Sequence, residues 1–106
     1  LEKDPSIRGI IFAHVLGNPP DMDRLMALIE KYDLVFLEDA CDALGSTYDS
    51  KKLGSFGFMS TCSFFPAHHM TMGEGGFVAT NSNRNILKKS AGCDGISAEL
   101  SLKFKK

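Results

Sequence analysis

The segment from Arg8 to Leu37 constrains the fold more than any other part of the chain. Arg8 to Val15 (R-G-I-I-F-A-H-V) is a short continuous apolar run, the pattern of a buried parallel strand. Gly17-Asn18-Pro19-Pro20 then breaks the chain, and Asp21 stands where a helix N-cap belongs. Met22, Leu25, Met26, Leu28, Ile29 and Tyr32 follow at near-helical spacing, with Asp23, Arg24, Glu30 and Lys31 on the other face. Leu34 to Leu37 (L-V-F-L) reads as another buried strand. Strand, helix, strand with short joints is a βαβ unit, so the pattern predicts a parallel pair with a right-handed crossover. Ligands gather at the carboxyl ends of such strands. Glu38, Asp39 and Asp42 stand there.

The other stretch that organises the chain runs from Ser60 to Thr80. Phe58 to Phe65 has strand character, a polar loop carries His68 and His69, and Gly73, Gly75 and Gly76 mark a tight turn. Phe77-Val78-Ala79-Thr80 is a short strand after it. Loops at strand ends are where a rigid scaffold holds its chemistry. Between the two stretches, Ser46-Thr47-Tyr48 and Lys51-Lys52-Leu53 around Asp49-Ser50 predict a small exposed hairpin. Asn83 to Ala91 reads as a surface helix capped by Asn81 or Ser82, and from Gly92 onward the pattern is weak.

With 106 residues the chain can fill one core. A formal charge of −1 with mixed signs gives no electrostatic case for nucleic acid or an anionic membrane. No apolar run approaches the ~20 residues of a membrane span. Leu1-Glu2-Lys3-Asp4-Pro5 lacks the apolar core of a signal peptide and reads as the middle of a longer chain. Cys41, Cys62 and Cys93 are odd in number and widely spaced, which predicts reduced thiols in a cytoplasmic protein rather than a disulfide framework.

Two motifs in order carry a resemblance. E-D-A-C-D-A-L-G-S-T-Y at 38–48, followed by S-F-F-P-A-H-H-M-T-M-G-E-G-G at 63–76, is similar to the DegT/DnrJ/EryC1/StrS sugar aminotransferase family. These are vitamin-B6 enzymes acting on nucleotide-linked 4-ketosugars. The resemblance covers about residues 7–85 and implies an α/β fold. Residues 1–106 would then be part of the large, cofactor-binding domain of a PLP-dependent transferase (aspartate aminotransferase fold type I), a mostly parallel sheet with flanking helices, with 92–106 a weakly matching tail.

In the aminotransferases of this family the second motif reads roughly S-F-H-P-x-K-x-x-T-x-G-E-G-G, and its lysine holds pyridoxal phosphate covalently. Counted from Ser63, that lysine falls on His68, and the usual histidine falls on Phe65. Imidazole cannot hold the cofactor in that way, but it can move a proton near neutral pH. The resemblance therefore implies the branch of 3-dehydratases that use pyridoxamine phosphate (PMP). The implied activity is C3 dehydration of CDP-4-keto-6-deoxyglucose on the route to 3,6-dideoxysugars of surface polysaccharides. The alternatives are dehydration of GDP-4-keto-6-deoxymannose, an ordinary PLP-dependent sugar amino transfer, or, outside enzymes, an inactive fragment or bare binding module.

The same resemblance implies residue roles. Asp39 would pair with the cofactor's pyridine nitrogen, Asp42 would lie near the ring 3-hydroxyl, and Ser63 would reach the phosphate. His68 would be the catalytic base at the C4′ carbon, with His69 the fallback if the loop register slips by one. His14 would line the substrate site. Cys41 matches the first ligand of the [2Fe–2S] cluster of the CDP-sugar dehydrase; the remaining ligands are not identifiable, since only Cys93 lies in the downstream region and a standard cluster needs four thiolates. A homodimer and an iron–sulfur flavin reductase as electron donor complete what the resemblance implies.

Overall fold

The computed structural model describes residues 2–80; the expected helix at 83–91, Cys93 and the tail lie outside them. The chain runs β1 (Gly9–Ala13), a 3-10 turn (Val15–Gly17), α1 (Met22–Lys31), β2 (Val35–Asp39), β3 (Thr47–Tyr48), β4 (Lys51–Lys52), β5 (Met59–Ser63) and β6 (Gly76–Thr80). Four strands form one sheet in the order β1-β2-β5-β6, and β3 pairs with β4 as a separate hairpin. β1, β2 and β5 are parallel, and β6 returns antiparallel to β5. The sheet is thus mixed and mostly parallel.

Helix α1 joins β1 to β2 because its sequence stops it cleanly at both ends. Asp21 Oδ1 accepts the Arg24 backbone N–H at 3.0 Å, which satisfies one of the open donors of the first turn. At the other end Asp33 takes a left-handed backbone (φ 49°). The Leu34 N–H then reaches Ile29 O at 3.0 Å and the Asp33 N–H reaches Glu30 O at 3.3 Å, a Schellman closure. Met22 and Ile29 of the helix, with Leu34 and Phe36, form the buried core, and Ile10, Phe12, Leu25, Met26, Tyr32, Tyr48 and Phe56 pack around it. Leu28, expected with that set, is exposed.

The hairpin forms around Asp49 and Ser50, both at positive φ (45° and 64°), the backbone of a tight two-residue turn. Full burial of the first two strands does not hold. In β2 Val35 is exposed, and β1 is parallel as predicted, but its residues alternate between exposed and half-buried instead of being buried throughout. It is the outer strand of this sheet, and α1 covers one face only. Ile11 therefore stands 75 % exposed.

Candidate active site

The carboxyl ends of β1, β2 and β5 lie side by side, because Ala13 is in register with Asp39 and Asp39 with Thr61. The residues just past those ends are therefore neighbours. The His14 N–H continues the ladder onto Asp39 O at 3.0 Å, and the Ala40 N–H onto Thr61 O at 2.9 Å. Beyond Ser63 the chain folds back on itself. The Phe64 N–H bonds Gly75 O at 2.9 Å, the Met72 N–H bonds Phe64 O at 3.1 Å, and the His68 N–H bonds Phe65 O at 3.0 Å. Gly73, at φ 82°, makes the reversal at a position strained for other residues. This folded loop brings His68 back over the end of β2.

Five of the six residues singled out first from the sequence, His14, Asp39, Cys41, Asp42 and His68, line one cavity of about 210 Å³ with Ala13 and Val15. His68 Nδ1 lies 2.9 Å from Asp42 Oδ1. A carboxylate only accepts, so His68 Nδ1 is the donor of this pair, and in the neutral ring Nε2 holds the lone pair. Asp42 was expected at a cofactor hydroxyl; its contact here is the histidine. Asp39 Oδ1 accepts the Cys41 N–H at 3.1 Å, which fixes the carboxylate at the strand end. His69 is exposed and outside the cavity lining.

Ser63 is the sixth, and it does not line the cavity. Its Oγ accepts the Phe65 N–H at 3.1 Å, so its own hydroxyl proton remains available to an anion. The Cys41 thiol is pushed up to about 11, first by burial and then by the hydrogen bond and charge of Asp39. Cys62 is buried and behaves as a small core residue. Sequence reasoning placed Glu38 at a strand end without a role. In the structure it is a buried carboxylate held by His14 Nε2 at 3.0 Å and by the N–H groups of Gly54 and Gly57 at 2.7 and 2.5 Å.

The resemblance implies two groups for this donor set. A pyridine cofactor with a phosphate arm needs a carboxylate at its ring nitrogen, a neutral donor at its phosphate and a base at its exocyclic carbon. Asp39, Ser63 and His68 supply that chemistry at adjoining strand ends, so they fit. For an iron–sulfur cluster the described residues alone form no site: no group of three or more His, Cys, Asp or Glu among them could hold a metal ion. The same residues include no helix long and apolar enough to cross a membrane.

Residues 4–93 match the DegT/DnrJ/EryC1/StrS aminotransferase family. The chain is 49 % identical over 82 residues to the lipopolysaccharide biosynthesis protein RfbH of Salmonella typhimurium, covering 77 % of this chain and 18 % of that protein. It is 49 % identical over 75 residues to the dTDP-4-dehydro-2,6-dideoxy-D-glucose 3-dehydratase of Saccharopolyspora spinosa, covering 71 % of this chain and 16 % of that one. Among solved structures it superposes on the E. coli GDP-4-keto-6-deoxy-D-mannose-3-dehydratase with bound hydrated PLP, with a TM-score of 0.60 and 38 % identity over 65 % of this chain and 18 % of that one. The chain thus spans less than a fifth of the length of each.

Proposed function

The chain belongs to the DegT/DnrJ/EryC1/StrS aminotransferase family, and on that premise we propose that the protein carrying it is a PMP-dependent dehydratase acting at C3 of a nucleotide-linked 4-keto-6-deoxyhexose. The observation that carries this reading is the His68–Asp42 pair at the cavity wall, with Nδ1 to Oδ1 at 2.9 Å. An imidazole stands in the loop where an aminotransferase needs an amine, and it is oriented as a base.

The cofactor, when bound, supplies an amine for the C4 ketone of the sugar and a ring that accepts the electrons released at C4′. Asp39 would keep the proton on the ring nitrogen, since a carboxylate beside it favours the charged form. Ser63 would donate its hydroxyl to the phosphate. Asp42 would hold the His68 ring with Nε2 free to take the C4′ proton, and that proton with the departing C3 hydroxyl would make the water lost. Nothing in this reading passes through an iron–sulfur cluster, since the described residues do not form a site for one.

CDP-4-keto-6-deoxyglucose is the proposed substrate, on the sole ground that Cys41 in the acidic turn matches a cysteine of the CDP-sugar dehydrase that the resemblance implies. The names of the relatives supply the dTDP- and GDP-linked sugars as alternatives. Homodimerisation, a cytoplasmic location and a flavin reductase as electron donor belong to the same proposal. The test gives the full-length protein PMP and each of the three nucleotide ketosugars in turn and follows the products by mass. Water loss greatest with the CDP sugar is expected. A 4-amino sugar retaining its C3 hydroxyl would make the protein an aminotransferase and end the dehydratase reading.

A further inference from the structure

Glu38 and His14 are each only 1 % exposed, and the reading above gives neither a chemical step. A buried carboxylate is costly unless donors surround it. Here three converge. The Gly57 N–H reaches Oε1, and the Gly54 N–H and His14 Nε2 both reach Oε2. An ionised carboxylate has no hydrogen to give, so the imidazole is the donor in its own contact. His14 then carries its proton on Nε2. Its Nδ1, buried and without a partner among the described residues, holds the lone pair.

The backbone is shaped to make these contacts. A Cβ on Gly57 would stand 2.6 Å from Phe36 O and 3.3 Å from Glu38 Cγ, so only glycine lets this turn approach β2 closely enough. Gly54, at φ +83°, turns the chain so that its own N–H also faces the carboxylate. Through one side chain, the end of β1 and the turn at 54–57 are both tied to β2, one residue before Asp39.

We propose that Glu38 is a positioning residue for the site: it holds His14 as the Nε2–H tautomer and, by fixing the strand ends, sets where the Asp39 carboxylate stands in the cavity wall. The second half rests on the cofactor reading above; the tautomer does not. The test uses the full-length protein with ¹⁵N-labelled histidine and reads the His14 ring nitrogens without cofactor, then titrates PMP by absorbance. Wild type is expected to show Nε2–H. In Glu38→Gln the amide brings a donor to a position where acceptors are needed, so the ring changes tautomer and PMP binding weakens about tenfold, the scale of one charge-assisted hydrogen bond. Either readout left unmoved overturns the proposal, as does a wild-type His14 protonated on Nδ1. Should Glu38→Gln not fold, Gly57→Ala decides: its Cβ meets Phe36 O and moves the turn off the carboxylate without touching the cavity lining, so PMP affinity falls about tenfold. Unchanged affinity in Gly57→Ala overturns it. A wild type that binds no PMP would end the cofactor reading, and the tautomer would still decide this one.

Discussion

Glu38 and Asp39 are successive residues of β2 and so leave it on opposite faces. Glu38 goes to the turn at 54–57 and to His14, and Asp39 goes to the cavity. The same chemical group thus serves as an internal tie and as a site carboxylate, and the difference is made entirely by what surrounds it. Cys41 shows the influence of Asp39 most directly. Burial and the neighbouring carboxylate raise its thiol to about 11 from the ordinary 9.0. A raised value means the protonated thiol favours the folded state. That contribution is present below pH 9 and is lost as the pH rises through about 11. Alkylation of Cys41 in the folded protein should therefore follow a midpoint near 11, and Asp39→Asn should move it down. A midpoint at or below 9 in the native protein would contradict this account of the site's electrostatics.

At the scale of elements, α1 is the part whose start and apolar face the sequence states, while its stop at Asp33 is seen only in the structure. Asp21 caps it, the apolar spacing faces it to the sheet, and the chain reverses at Asp33. The two ends should respond with opposite signs. Asp21→Ala removes an accepted N–H bond and should cost about 1 kcal/mol of stability, whereas Asp33→Gly relieves a left-handed backbone and should add up to about 1 kcal/mol. Chemical denaturation of the full-length protein measures both, and a loss at Asp33 would mean that the Asp side chain is itself needed there. The hairpin at 47–52 and the strands at 59–63 and 76–80 were equally legible, because turns and apolar runs are local signals. The role of Glu38 was not legible. Its partners Gly54, Gly57 and His14 are 16, 19 and 24 residues away, and no local pattern announces a contact of that range. The pairing of Asp42 with His68 spans 26 residues and was hidden for the same reason.

At the scale of the whole molecule, the four-stranded sheet is covered by α1 on one face, while Ile11, Val15, Leu16, Val35, Phe65 and Met70 stand exposed. A chain that spans about a fifth of its relatives' length leaves such surface without the partners a full-length protein provides. The 106-residue chain expressed alone should associate beyond a dimer and bind a hydrophobic dye, with little turnover, while the full-length protein should stop at a dimer and leave the dye unbound. A monomeric chain alone that turns over at the full-length rate would overturn that. The central claim, that His68 is the base at C4′, is tested most directly by hydrogen exchange. The full-length protein is given PMP and CDP-4-keto-6-deoxyglucose, and loss of the C4′ hydrogen to solvent is followed in wild type, His68→Asn and His69→Asn. Exchange in wild type and His69→Asn, abolished in His68→Asn, is the predicted result. Exchange that survives in His68→Asn contradicts it, and exchange lost only in His69→Asn would move the base by one residue.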